Sequence, residues 1–466
     1  MAGGKRTRGL RRPAVAAVTL GWIAALASAG SASAFVYVVN QGGASVAQFS
    51  GGPFGALTPL SPPTIATMGN TPTEIALSPD GEHAYVSELS GGTVYQYDVA
   101  TGGTLTPMST PTVAAGSAPY EIAVSPDGES AYVTSRDSDT ISQFHVMPDG
   151  SLRALATPTV IAADQLSGIA INPSGESVYV TSEIGNDVWQ YSVGPHGALI
   201  PKSAPTVATG AVPLGVAVSP DGHSVYVVDD EGGTISQYNA APGGELTPKP
   251  TPTVADTGGD PYYIAVSPNG RSVYVTNYTG DDVSQYRAGP NGALHAMSVP
   301  TAAAGVYPFD IALSPDGRNA YVTNLGSGTV SQYAVATGGE LLPRGVPAVA
   351  AGFHPAGVEI ARLQTTIRVK PLKLGTPLKS SATVTVSTTG APVAGVQLSF
   401  LLDKGKLCSA RTDAAGTATC VTHGTGLILS SPHYHAVFAG NADYAPSRGR
   451  GKLKEPCFGI CVHKLK

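Results

Sequence analysis

The chain has 466 residues, with 27 basic against 32 acidic side chains, and only 13% of its residues are charged. That balance excludes nucleic acid and anionic lipid as the expected main partners of the chain as a whole. Abundant Gly (57) and Pro (38) suit short strands and tight turns, not helices.

Residues 1–34 read as an export signal. Lys5, Arg6, Arg8, Arg11 and Arg12 make a positive start, Ala14 to Gly30 an apolar stretch, and Ala32-Ser33-Ala34 a small-residue cleavage site. The mature chain is expected to begin at Phe35 and to work outside a bacterial cytoplasm, secreted or at the cell surface. Arg11-Arg12 leaves twin-arginine and general secretory export both open. No later segment is apolar enough to span a bilayer.

A ruler then begins. Ser-Pro-Asp-Gly stands at Ser78, Ser125, Ser219 and Ser314, with variants at Asn172 and Ser267, in steps of 47, 47, 47, 48 and 47 residues. Tyr-Val keeps the same beat from Tyr37 to Tyr321. A period near fifty with several strands per unit predicts a ring of propeller blades. In the unit from Ala118, Glu121 to Ser125 is an inner strand and Pro-Asp-Gly the turn. Ser130 to Ser135 and Thr140 to Val146 follow, and Thr157 to Ala162 is a Pro-flanked outer strand. Seven inner strands open near Ile75, Ile122, Ile169, Val216, Ile264, Ile311 and Val358. The chain start supplies three strands of a blade and Gly357 to Leu363 supplies the missing inner one, so the ends are expected to close the ring and leave no open edge.

From Gln364 the period stops. "SATVTVST", "VQLSFLL" and "HAVFAGNADYAPS" read as short strands of a small sandwich over 364–447, and 448–466 as a basic, Cys-containing tail without strand patterning. The expected class is all-β: a seven-bladed propeller over 35–363, then the sandwich. In an exported chain, four clustered cysteines read as disulfides, Cys408–Cys420 across two strands and Cys457–Cys461 in the tail. A metal site with His433, His435 or His463 would need paired CxxC spacing, which is absent.

The residue before each inner Ile or Val is Glu74, Glu121, Gly168, Gly215, Tyr263, Asp310 and Gly357. A second register at the closing blade puts Glu359 in place of Gly357. Four successive blades would then carry Asp310, Glu359, Glu74 and Glu121 around a channel mouth beside Tyr263. Such an arc could hold Ca²⁺ or another hard cation, or orient a hydroxylated ligand, or simply be solvated. Asn40, Glu183, Asp229, Asp230, Asn277, Tyr278 and Asn324 belong to the same face.

Tyr274-Val-Thr-Asn and Tyr321-Val-Thr-Asn, with Ser-Pro-Asp-Gly before and "TVSQY" after, resemble the YVTN-type β-propeller repeats of bacterial and archaeal surface proteins. That superfamily includes lactonase propellers resembling 6-phosphogluconolactonase. Gly390-Ala-Pro-Val-Ala-Gly395 and "FAGNADYAPS" resemble bacterial immunoglobulin-like domains. If the chain were a lactone hydrolase, Glu88 or Glu121 with His354 would activate water and Arg136 would stabilise the oxyanion. "YVSELSGGTVYQY" around Glu88 is similar to the Tyr-Val-x-Asn-Glu-Leu stretch of those enzymes. Their Arg-His pair at the head of an inner strand is replaced by Thr73-Glu74, Tyr120-Glu121 and Phe309-Asp310. The sequence therefore favours a monomeric, non-catalytic binding or scaffolding protein for a surface glycan or protein ligand. The alternatives are a lactone hydrolase and a structural surface-layer component.

Overall fold

The computed structural model describes residues 34–52, 55–162, 165–362, 365–373, 378–387, 390–402, 405–422, 433–441 and 444–454. Residues 1–33, where the export signal is expected, and Cys457 and Cys461 lie outside them. Seven antiparallel sheets of four strands form the propeller. In one blade the strands Pro119–Val124, Ser130–Ser135, Thr140–Val146 and Leu152–Ile161 pair in sequence order. The outer strand starts earlier than its Pro-rich sequence predicts. A slip in pairing between Ser142 and Phe144 lets both halves of this ten-residue strand stay bonded.

The ring closes as the sequence predicts. Pro355–Ala361 lies innermost against Phe35–Asn40, with Ser45–Gly51 and Leu57–Ala66 outside. Glu359 pairs with Tyr37 as Ala76 pairs with Tyr85, so Gly357 occupies the position of Glu74 in the neighbouring blade. The closing register is therefore the one with Gly357 in frame.

The repeat signature turns out to be a set of joints between blades. Each Tyr of Tyr-Val sends its hydroxyl to a glycine carbonyl in the next blade, from Tyr37 to Gly103 at 2.7 Å round to Tyr321 to Gly55 at 2.7 Å. Each third-strand Gln bridges twice. Gln96 Nε2 donates to the Thr110 carbonyl of its own blade, and its Oε1 accepts the Leu152 N–H of the next. Gln332 makes the same bridge to the Leu57 N–H across the ring closure, at 2.7 Å. Ser87, Thr134, Thr181, Thr276 and Thr323 donate to inner-strand carbonyls of the following blade. The Tyr, Gln, Ser and Thr side chains of these joints are buried, as are the N–H groups that Gln96 and Gln332 accept, so losing a Gln there strands a polar atom in apolar packing.

The C-terminal sandwich has two sheets. One holds Thr365–Val369, Leu378–Val386 and Thr417–Thr422. The other holds, in order, Leu372–Lys373, Ser447–Lys454, His433–Phe438, Gln397–Leu402 and Gly405–Arg411. Val384, Leu398, Phe400, Tyr434, Ala436 and Phe438 fill the space between them. The Cys408–Cys420 disulfide joins the two sheets. The start of the basic tail corrects the sequence reading, because Ser447–Lys454 is a strand. Its buried faces are Gly449 and Gly451, which carry no side chain to reveal the alternation. A Cβ at Gly449 would lie 2.5 Å from the Ile367 carbonyl oxygen, and one at Gly451 2.5 Å from the Tyr434 ring.

Candidate active site

The site begins with a bulge repeated in every blade. Pairing of inner and second strands slips between Pro72 and Ile75, Pro119 and Ile122, and Pro308 and Ile311, among others. Such a slip re-aims the intervening side chains. Here it turns Glu74, Glu121, Tyr263 and Asp310 into the central channel, where Glu359 joins them from the next step of the closing strand. Together they line a cavity of about 390 Å³ that runs along the inner strands to Leu77, Val124 and Leu313, toward the Ser-Pro-Asp-Gly turns.

Glu74 and Asp310 are buried, whereas Glu121 and Glu359 keep partial exposure to the cavity. Glu121 Oε2 accepts the Ile169 N–H of the next blade at 3.1 Å. Asp310 Oδ2 accepts the Val358 N–H at 2.8 Å and its Oδ1 the Ile311 N–H. Glu359 Oε1 accepts the Ile360 N–H at 3.2 Å. Glu74 Oε1 and Tyr263 Oη are buried without a hydrogen-bond partner. Gly357 permits the crowding, since a Cβ there would meet Glu74 Oε2 at 2.3 Å.

These surroundings penalise negative charge. Burial, then the charges of Asp310 and Glu121, pushes Glu74 well above the ordinary carboxylate range against the pull of the Tyr263 hydroxyl and the Ile75 N–H. Burial and the Asp310 charge do the same to Glu121, opposed by the Ile169 N–H and Tyr263. Asp310 rises to about 7 by burial, held back by the Val358 and Ile311 N–H groups. Glu359 also rises to about 7, by burial and the Asp310 charge, against the Ile360 N–H and Arg362. Near neutral pH the cluster thus contains both carboxylates and protonated carboxyls, so it can accept and donate protons.

An aromatic roof lies over this ring, one residue earlier in the inner strands. Tyr120 and Tyr262, three blades apart, join hydroxyls at 2.8 Å, and Phe309 packs on Tyr262 with ring centroids 4.6 Å apart. Arg136 stacks over Tyr120 at 4.9 Å and pairs with Glu183 at 2.7 Å. The acids were expected at an open mouth on the side of the loops entering the inner strands. They lie instead beneath this roof, with the cavity extending the other way. Sequence reading missed the roof, although the same alignment read one column earlier gives Thr73, Tyr120, Ser167, Leu214, Tyr262, Phe309 and Ala356.

Other candidates have structural employment. Glu88 is buried and accepts bonds from the Thr71 N–H at 2.9 Å, Thr71 Oγ1, Ser90 Oγ and the Gly91 N–H. Burial raises its carboxyl, but those donors outweigh it and hold the group below the usual range. That makes Glu88 a loop clamp and a poor base. Asn40, Asp229 and Asn324 at the same blade position also tie down their loops. His354 stacks on Phe353 at 3.9 Å, at a loop position with φ +53° that Ala118, Gln165, Val212, Asp260 and Tyr307 share. No hydrogen bond among the described residues joins His354 to Glu88 or Glu121. No cluster of three or more His, Cys, Asp or Glu among the described residues is arranged to hold a metal ion.

An all-β ring of seven blades around an acid-lined channel defines a seven-bladed β-propeller. The profile of the family described as "Lactonase, 7-bladed beta-propeller" matches residues 33–248 and 201–356, and the chain belongs to that family. Among solved structures, a Pseudomonas aeruginosa protein described as a periplasmic gluconolactonase, PpgL, superposes with a TM-score of 0.60 at 19% identity, covering 71% of this chain and 99% of that one. A Bacteroides fragilis protein provisionally described as a 6-phosphogluconolactonase gives 0.62 at 18%, covering 71% and 98%. A Lactobacillus plantarum protein gives 0.59 at 18%, covering 71% and 100%. At such identities the likeness is one of fold. None of the curated proteins matches. The family match overturns the expectation of a non-catalytic binding or scaffolding protein. That expectation leaned on a missing Arg-His pair, and the acids now seen in the channel were weighed as an open, solvated arc.

Proposed function

We propose that this chain is a lactone hydrolase acting on a small, uncharged sugar lactone, with its chemistry in the channel. The observation that carries this reading is the set of raised carboxyls around Tyr263 in a cavity of sugar-lactone size. Glu359, partly exposed and near neutrality, takes a proton from water as the water oxygen bonds to the lactone carbonyl carbon. The Tyr263 hydroxyl, which faces Glu74 and Glu121 without a close hydrogen bond, donates to the developing oxyanion. The intermediate collapses, the ring C–O bond breaks, and protonated Glu121 gives its proton to the departing ring oxygen. Asp310 positions and tunes the others, since its charge raises Glu74, Glu121 and Glu359 alike. The hydroxy acid formed is an anion, and the acidic wall favours its release. A phosphorylated lactone would bring its charge against the same wall. The export signal supports a site of action outside the cytoplasm, which cell fractionation would check.

The test is hydrolysis of δ-gluconolactone and 6-phosphogluconolactone by the purified mature chain, with the spontaneous rate subtracted. The unphosphorylated lactone should be turned over faster, and Glu359→Gln should lower kcat by about 100-fold or more. Full activity in Glu359→Gln, Tyr263→Phe and Glu121→Gln would remove the channel from the reaction.

A further inference from the structure

The chain's modest net charge conceals two opposed parts. Residues 35–363 carry 9 Lys and Arg against 28 Asp and Glu, a net of −19, whereas residues 364–454 carry 11 against 3, a net of +8. Within the sandwich the positive charge is ordered. On Ser447–Lys454 the exposed Arg448, Arg450 and Lys452 alternate with buried Gly449 and Gly451, so three cations share one face. Alternate residues of a strand repeat at about 6.8 Å.

The adjacent strand continues the face, with His435 opposite Arg450 and His433 opposite Lys452. Arg450 Nη2 lies 2.8 Å from His433 Nδ1. Desolvation and then Arg450 and Lys452 hold His433 below its ordinary range, and desolvation, Arg448 and Arg450 do so for His435. Lys406 and Arg411 are exposed on the far strand of the same sheet. None of the described carboxylates pairs with Arg448, Arg450 or Lys452. A positive row that none of the described carboxylates neutralises raises the free energy of the isolated domain and lowers that of a complex with an anion.

We infer that this sheet face docks a flexible linear polyanion, other than a nucleic acid, with a phosphate group in each repeat, of the kind that coats a bacterial cell surface. The regular row matches a regular polymer, and single exposed pairs of this type are too weak to act alone, so several must be engaged together. A lipid surface fits less well. Among the described residues, the sandwich exposes one large apolar side chain, Val421, and that lies on the other sheet. The acidic propeller would be repelled by the same polymer, so docking would turn it away from the surface. The proposal is independent of the lactonase reading.

The experiment measures binding of the full mature chain to linear inorganic polyphosphate. In about 50 mM salt it should bind, with log K falling against log salt at a slope near −2 for three contacts. Arg448→Glu/Arg450→Glu/Lys452→Glu should weaken binding at least ~10-fold, and Arg450→Gln alone a few-fold, both without a change in lactone turnover. In NMR titrations His435 should gain a proton more readily once polyphosphate is bound. Binding unaffected by both variants, an unmoved His435, equal competition by monophosphate at matched phosphate, or tighter binding to phosphatidylglycerol vesicles or to DNA than to polyphosphate would each overturn it.

Discussion

The joints between blades and the ring around the channel occupy equivalent places in every repeat, yet sequence treats them oppositely. The Tyr and Gln joints recur seven times with one residue type each, because the same carbonyl and N–H must be met at every boundary. The ring reads Glu, Glu, Gly, Gly, Tyr, Asp and Gly at the same bulge. Where symmetry is kept the side chain answers to architecture. Where it is broken, three carboxyls and a phenol gather on one arc and two glycines let the opposite strands close up. A Cβ at Gly168 would lie 2.4 Å from the Leu214 carbonyl oxygen of the next blade.

The largest expected effect breaks the ring. Asp310→Asn removes the charge that raises its three neighbours, so the pH–rate profile should shift to lower pH, and kcat at pH 7 should drop roughly 10- to 100-fold. An unshifted profile would separate Asp310 from the others. Its stability effect has the opposite sign. Asp310 is raised from 3.8 to about 7, so its carboxyl is easier to ionise unfolded than folded. Its favourable contribution is full below about pH 4 and is lost as pH climbs to about 7. The wild type should therefore lose thermal stability over that window, while Asp310→Asn should lose less and melt higher at pH 8. A lower Tm for the variant at pH 8 would contradict the raised carboxyl. Such a gain in stability with a loss of rate is the trade expected of a working site.

A smaller effect breaks a joint. Gln332→Ala strands the buried Leu57 N–H and should cost about 1–3 kcal/mol in urea unfolding, as should Gln143→Ala within the array. Unequal costs would show that the closing boundary differs energetically from the rest. Smallest is Tyr85→Phe, which deletes the hydroxyl to the Gly150 carbonyl and should cost about 1 kcal/mol with turnover unchanged.

Period and turn chemistry made the blade count and the closure legible in sequence, and the clustering of the cysteines did so for the Cys408–Cys420 disulfide. The ring residues were also legible, since alignment alone selects Glu74, Glu121, Tyr263 and Asp310. Their surroundings were not. Whether Tyr120 and Tyr262 meet depends on the distance across a channel, which no local spacing encodes. Glu88 looked catalytic from its neighbours, while two of its four donors come from Thr71, in a loop that only the fold brings near. Gly449 and Gly451 hid a strand by having no side chain to display a pattern.

Closure by the two ends carries a consequence for the order of events. Phe35–Asn40 must wait for Pro355–Ala361, roughly the whole ring later in the chain, before its inner edge is covered. During synthesis the first strands would emerge long before their partner, with an open edge and unpaired Gln and Tyr groups on both sides of the gap. The channel acids likewise come from separate blades, and Glu359 rides on the last strand to arrive. The acid wall of the channel is therefore assembled by the event that seals the ring. A chain released or cut before residue 361 would have neither.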